Sequence, residues 1–377
     1  MEKIIVTSIF DIKKRYPDSP RWRNIKMYLH LFKYFDELNV PTILFIETHL
    51  LDKIKKRDNL FIIPFELEDL PTYKLLKGKN LDTVQNGDHL NLEFTAVINA
   101  KTFLIQEAKK YLINKNLMNN VSHLIWLDAG IAHIGSISRE QFINDIQLHC
   151  HDKVMNVLMK VITLRDTENL KDFLRISRGH VAAGIFIIPF DIVEWYNEEY
   201  YKIFDYSVNE CKLMCFEEQI MSVVVAKFPK MFKFSFSDYS VLKNLNICVT
   251  DFQTVVSNLI KCREIGNSDL GLVILRLLLK SLANSRTDVT TETFIDILYN
   301  GQIISYYEDK ILSYKLSFIL GYLYHNKNKV KEIMASRYEN IKSNINFLGL
   351  DFSKKTDFPE DEILNLDDTN IIWRIIF

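Results

Sequence analysis

Over residues 1–240 short uninterrupted apolar runs alternate with stretches whose apolar residues recur at helical spacing. That alternation is the pattern of a parallel α/β sheet. Ile4, Ile5 and Val6 open the first predicted strand, Lys3 to Ile12, with the polar pair Thr7 and Ser8 placed where the strand reaches the sheet edge. Ser19 and Pro20 read as a helix start, and Ile25, Tyr28, Leu29, Phe32 and Phe35 repeat as one face of that helix. Pro41 to Glu47 and Leu60 to Phe65 are further buried strands, with a charged crossover helix from Leu50 to Lys56 between them. Residues 67–91 read as an irregular connection, and Leu92 to Leu112 as one long helix with Phe94, Val97, Ile98, Leu104, Ile105 and Ala108 as its apolar stripe.

Leu124 to Leu127 form a short apolar run that ends abruptly at Asp128, which reads as a buried strand. Ser138 and Gln141 make a capping box for a helix reaching about His149. Val154 to Leu164 and Val181 to Pro189 are strand-like, Phe190 to Phe204 and the segment from Cys215 are helical, and Phe232 to Phe236 closes the sheet. From about residue 250 only helical patterns follow, without a fixed repeat period. Three regions are expected: an α/β domain over 1–245, a helical domain over 246–348, and a tail over 349–377 that docks on the fold or a partner.

Composition narrows the functions. The 377 residues carry a formal net charge of −1, which argues against a generally basic nucleic-acid binder. The five cysteines are odd in number and lack framework or zinc-site spacing, so reduced thiols and a cytoplasmic setting are expected. The start of the chain lacks the charge and apolar run of a signal peptide, and no run is long enough for a membrane span. Neither Gly-x-Gly-x-x-Gly nor a Walker A loop occurs, which argues against a dinucleotide Rossmann enzyme or a P-loop NTPase.

The candidate chemistry gathers around the stretch from His123 to His133. A carboxylate at the end of a central strand sits where open α/β sheets bind ligands, and the small residues Ala129 and Gly130 keep that edge uncrowded. A turn-capping role for Asp128 is the structural alternative. Lys101 falls on the apolar stripe of its helix, so it faces inward toward an anion, either Asp128 or a ligand diphosphate, or else snorkels to water. Asn99 is a weaker candidate for a base or ribose. Arg21 and Arg23 stand at the end of a helix that disfavours cations, which a phosphate would explain, although surface charge is the commoner reason. Ala182, Ala183 and Gly184 are small for a strand and suggest close approach of a ligand. Glu217 and Glu218 suit the first turn of a helix for dipole reasons, or serve as a general base beside Asp128.

Several of these segments together resemble the bacterial HtrL/YibB-type family of glycosyltransferase-like proteins: Ile5 to Ile12, Val97-Ile-Asn-Ala-Lys101 followed by Glu107 and Ala108, and Trp126-Leu-Asp-Ala-Gly-Ile-Ala-His133. The Ala183–Gly184 strand and the Glu218–Gln219 helix start also fit, and the resemblance covers about residues 1–240. It implies a GT-A-like, Rossmann-like sheet that transfers a sugar from a nucleotide-sugar, UDP-sugar first, to a hydroxyl of a glycan or glycoprotein. In it Asp128 corresponds to the acidic motif that handles donor and metal; with that activity, Thr7, Asn99, Lys101, Asp128, Ala183 and Gly184 are the expected donor contacts, Glu218, Glu217 and Asp128 the expected catalytic residues, and Asp128 with His133 the expected ligands of Mn²⁺ or Mg²⁺. The usual Asp-x-Asp of such enzymes is here Asp128-Ala-Gly130, so the second carboxylate is absent and Lys101 offers a metal-free way to neutralise the leaving diphosphate. The alternatives are a non-catalytic nucleotide-sugar or protein-binding module and a nucleotidyltransferase. The helical C-terminal region is a candidate oligomer interface.

Overall fold

The computed structural model describes residues 2–15, 24–85, 87, 90–117, 121–150, 152–160, 162, 164–176, 179–236, 242, 252–264, 268–284 and 291–326. The chain divides into two units, Met1–Ile247 and Cys248–Phe377.

In chain order the strands of the first unit are β1 (Glu2–Ile9), β2 (Thr42–Ile46), β3 (Leu60–Pro64), β4 (Asp82–Thr83), β5 (Val121–Leu127), β6 (Val154–Leu158), β7 (Val181–Pro189), β8 (Leu213–Met214) and β9 (Phe232–Phe236). Seven of them form one sheet in the order β3-β2-β1-β5-β7-β6-β9, and β4 and β8 make a small parallel pair. Only β7 runs against its neighbours in the large sheet, β5 and β6. The expected α/β architecture, a mostly parallel sheet flanked by helices, is the one found, and among the described residues only helices follow it.

Both faces of the sheet are apolar because the central strands are buried on both sides, which is why their sequences read as runs rather than alternations. On one face Ile5, Ile9, Leu44, Ile46, Ile125, Leu127 and Met155 pack with Phe35, Leu38, Phe142 and Ile146 from the helices Tyr34–Leu38 and Arg139–Leu148. On the other, the helix Lys101–Asn114 lies against β1 and β5 and packs on Val193–Asn209, which in turn meets Glu217–Lys227. After β1 the chain builds outward through β2 and β3 and then returns to the far side of β1 as β5, in register from Ile4↔Leu124 to Val6↔Trp126. The C-terminal ends of β1 and β5 therefore flank the reversal in strand order, where open sheets leave a crevice.

Several elements differ from the sequence expectation. The predicted crossover helix is a 3₁₀ helix, Thr48–Lys53. The long helix is two, Leu92–Asn99 and Lys101–Asn114, joined at Ala100. The strand from Val154 stops at Leu158, because Met159 and Lys160 both donate main-chain hydrogen bonds to the His180 carbonyl ahead of β7. The supposed irregular connection holds the helix Pro71–Leu76 and β4, which ties it to the segment before Glu217. Thr7 does not mark the sheet edge: it is fully buried in β1 opposite Leu44. Ser138 caps its helix as expected, accepting from the Gln141 amide.

In the second unit the helices Phe252–Glu264, Ser268–Asn284, Thr291–Glu308 and Lys310–Asn326 pack in succession, the first also on the third. The expected helix at 330–345 and the apolar finish at 371–377 lie outside the described residues. Among the described residues no helix is long and apolar enough to cross a membrane. Among the described residues, Cys150, Cys211, Cys215 and Cys262 form no disulfide.

Candidate functional site

Trp126 and Asp128 are two apart on β5 and its continuation, so their side chains leave the same face of the sheet. The Trp126 indole Nε1 donates to Asp128 Oδ1 at 2.6 Å. Lys101 opens its helix on that same face, with its ammonium 5.8 Å from the Trp126 ring centroid. Its Nζ lies 2.8 Å from Asp128 Oδ1, 2.9 Å from Glu217 Oε1 and 3.0 Å from the Ala183 carbonyl. Asp128 Oδ2 lies 3.1 Å away as well, so four oxygens from three residues take up the three ammonium hydrogens. A lysine in a first helical turn opposes the dipole, and two carboxylates offset that here.

A local irregularity in β7 brings the fourth side. Asn156 pairs with Phe186, but Val157 pairs with Ala182, so β7 carries extra residues between them. Such a bulge re-aims main-chain groups near sites. It turns the Ala183 carbonyl to Lys101 and its amide to the Glu218 carboxylate. The Gly184 carbonyl meanwhile accepts from the Asp128 amide at 3.0 Å. A Cβ on Gly184 would lie 3.0 Å from Ile131 Cδ1 and 3.7 Å from Asp128 Oδ2, so the glycine leaves room directly beside the carboxylate.

These groups line a cavity of about 290 Å³ at the ends of β1 and β5. Asp128, Glu217 and Glu218 supply its acidic side, and Phe10, Tyr28, Phe94 and Ile98 are among its apolar walls. Burial is the largest influence on Glu218, Glu217 and Lys101. It raises the Glu218 carboxyl to about 8, with the neighbouring Glu217 charge adding to the rise. It raises Glu217 too, against the lowering effect of Lys101. For Lys101, burial disfavours the charge, but Asp128 and Glu217 outweigh it and its pKa is raised.

The residues singled out in the sequence separate into two groups. Lys101, Asp128, His133, Gly184, Glu217 and Glu218 line one cavity, and Ala183 serves it through its main chain. Thr7 and Asn99 do not reach it. Thr7 is sealed inside the sheet. Asn99 is 1% exposed, and its amide is taken up by the Thr95 and Cys215 carbonyls and the Tyr200 hydroxyl. Lys101 faces inward toward Asp128, with no N–H left for a diphosphate, so its role as a phosphate-neutralising group is not what this geometry offers. Arg21 and Arg23 lie outside the described residues. The Trp126 contact was legible in principle, since a tryptophan two positions before a strand-end aspartate shares its face. The main-chain contribution of Ala183 had only the small-residue run as a signal.

As ligands for Mn²⁺ or Mg²⁺, Asp128 offers a carboxylate that is 38% exposed in its side chain, and His133 donates its Nδ1 hydrogen to the Gly130 carbonyl at 2.5 Å, which turns Nε2 into the acceptor nitrogen. Both residues line the cavity, and two protein groups are fewer than the roughly six to eight oxygen ligands a hard cation takes. Among the described residues, the side chains that bring three metal-ligating atoms together are Glu47, Glu66 and Glu68, and the Arg15 guanidinium already bridges Glu47 and Glu68.

No family model matches the chain, and no curated protein matches it in sequence. Among solved structures it is similar to mouse xyloside xylosyltransferase 1 in its apo form, over 62% of this chain and 84% of that one, at 7% identity and a TM-score of 0.30. At that identity and score the likeness carries no argument about chemistry.

Proposed function

We propose that the first unit is a glycosyltransferase of the HtrL/YibB type that takes a nucleotide-sugar, a UDP-sugar first among the donors, and passes the sugar to a hydroxyl of a glycan or glycoprotein. The observation that carries this reading is the cavity at the strand-order reversal, where Asp128, held by Lys101 and Trp126, shares a pocket with Glu217 and Glu218. Gly184 makes space beside Asp128 for the sugar end of a donor. In transfer with inversion, the acceptor oxygen bonds to the anomeric carbon, the bond from that carbon to the diphosphate oxygen breaks, and the acceptor proton passes to the base. Glu218 is the base: a carboxylate with a pKa raised to about 8 is far more basic than an ordinary one. Glu217 is committed to Lys101 and acts by holding that ammonium and by raising Glu218. A divalent cation bound by Asp128 and His133 would supply positive charge for the departing diphosphate.

Thermal shift against UDP, GDP, CDP and their sugars, each with and without Mn²⁺, tests the donor site, because a ligand that binds the folded state raises Tm by mass action. One nucleotide should stabilise the protein, and Asp128→Ala should lose the effect. Release of nucleoside diphosphate from the sugar donor then separates transfer from nucleotidyl chemistry, which releases pyrophosphate. If no nucleotide moves Tm at millimolar concentrations, the donor-site reading fails.

A further inference from the structure

Asn99 sits in the last turn of Leu92–Asn99, two residues before Lys101, yet it makes no contact with the cavity. Its Nδ2 donates to the Thr95 carbonyl at 2.9 Å, one turn back in its own helix, and to the Cys215 carbonyl at 3.0 Å, two residues before Glu217. Its Oδ1 accepts from the Tyr200 hydroxyl at 2.6 Å. The orientation of the amide is forced, since the flipped form would set its oxygen against two carbonyls. Asn99, Tyr200 and Cys215 are all buried.

One side chain thus joins the two main-chain segments that carry the two ends of the Lys101–Glu217 ion pair. The segment on the Cys215 side has a second anchor, because Gln219 donates to the Leu174 and Ile176 carbonyls and accepts from the Phe216 amide. The segment on the Lys101 side is held on either side of the junction, where Thr72 donates to the Ala96 carbonyl at 2.7 Å and Thr102 to Asn197 Oδ1 at 2.9 Å, but the start of the helix Lys101–Asn114 at Ala100 has no side-chain cap. We propose that Asn99 is a positioning residue, which sets the approach of Lys101 to Glu217 and through it the placement of Glu218. The effect on turnover rests on the reading of Glu218 as the base; the effect on Lys101 does not.

Lys101 gives a direct readout. A buried ammonium hydrogen-bonded to three residues exchanges its protons slowly, so it is observable by ¹H–¹⁵N spectroscopy of the lysine side chains. Lys109, on the same helix, is an internal control: it is buried and bound to the Phe190 carbonyl at 2.7 Å and to Glu194 at 2.6 Å. In Asn99→Ala, Lys101 exchange should rise by about tenfold or its signal should vanish, while Lys109 keeps its own. General loosening of the helix would move both. With an active donor and acceptor pair, kcat should fall by about 10- to 100-fold at nearly constant donor KM, the result of misplacing a catalytic group from a distance.

Unchanged Lys101 protection in Asn99→Ala, or equal loss at Lys101 and Lys109, overturns the proposal. Where Asn99→Ala does not fold, Tyr200→Phe is measured instead. It removes one of the three anchors on the amide, and Lys101 exchange should rise by a smaller factor, with no change again overturning the proposal. A selective effect on Lys101 in a protein that turns over no nucleotide-sugar would leave the positioning role standing and count against the transferase reading alone.

Discussion

Replacing Lys101 by methionine removes a cation from between two carboxylates while keeping an unbranched side chain of similar reach. The Lys101 side chain is 5% exposed, that of Glu217 is 12% exposed and that of Asp128 is 38% exposed. Deleting one partner of a buried pair typically costs about 3–5 kcal/mol, because the remaining charge is left without compensation. Asp128 retains the Trp126 hydrogen bond and partial solvent access, so most of the penalty falls on Glu217 and the lower end, about 3 kcal/mol, is expected. The size must depend on pH. The Glu217 carboxyl is already raised by burial, and Lys101 is the charge that holds it down, so the variant raises it further. A carboxyl whose folded pKa lies above its unfolded one holds its proton more tightly in the folded state. Its penalty is absent at low pH, where both states are protonated, and grows as pH rises from the ordinary carboxylate range through the folded value. Urea unfolding of both proteins, followed by tryptophan fluorescence at about pH 5 and about pH 8, should therefore give a smaller difference in the acid sample, with the m-value unchanged. A loss under about 1 kcal/mol at the higher pH, or the same loss at both, would refute the description of Lys101 as the counterion of Glu217.

Glu218→Gln should lower nucleotide-sugar turnover by at least about 100-fold while leaving the donor's thermal shift intact, and the wild-type rate should climb as pH passes through about 8, since the carboxyl is protonated below that value. Trp126→Phe keeps the ring near Lys101 but deletes the 2.6 Å hydrogen bond to Asp128, and donor affinity by calorimetry should fall by about 1.5–3 kcal/mol, the worth of a bond to a charged group. Arg15→Ala strands Glu47, which is fully buried, and frees the segment after β1 that Glu47 holds through the Asp11 amide at 2.6 Å; unfolding should be easier by about 2–3 kcal/mol, less than for a fully enclosed pair because Arg15 is partly exposed.

The sheet was legible because its strands are buried on both faces, so Ile4 to Val6, Thr42 to Ile46 and Val181 to Pro189 stand out as apolar runs. Strand direction was not, since nothing in the run Val181–Pro189 says that it opposes its neighbours. The helix break at Ala100 escaped for a related reason. The apolar stripe continues across it from Ile98 to Leu104, and the event that accompanies the break is tertiary: Asn99 turns its amide to a carbonyl 116 residues away. Periodicity records which face is buried and is blind to a side chain that leaves its own helix for a distant strand end.

The same distinction explains the site. Lys101 was visible as a charge where charges are costly, on an apolar stripe, Asp128 as a carboxylate at a strand end, and Glu217 and Glu218 as acids in a first helical turn. Sequence position located each one but not its assignment. Lys101 reads equally well as a phosphate ligand or as a counterion until Glu217 and the Ala183 carbonyl are seen to use the hydrogens that Asp128 leaves. Asn99 reads as a ligand contact because it is polar and next to Lys101, but burial beside Tyr200 and Cys215 makes it part of the frame. A polar residue on a core-facing stripe therefore signals an obligatory partner, and only the fold decides whether that partner is a ligand or the protein itself. Here the cation and the amide are answered by the protein. In the proposed reaction, Glu218 and the exposed part of Asp128 remain as the groups that meet a substrate.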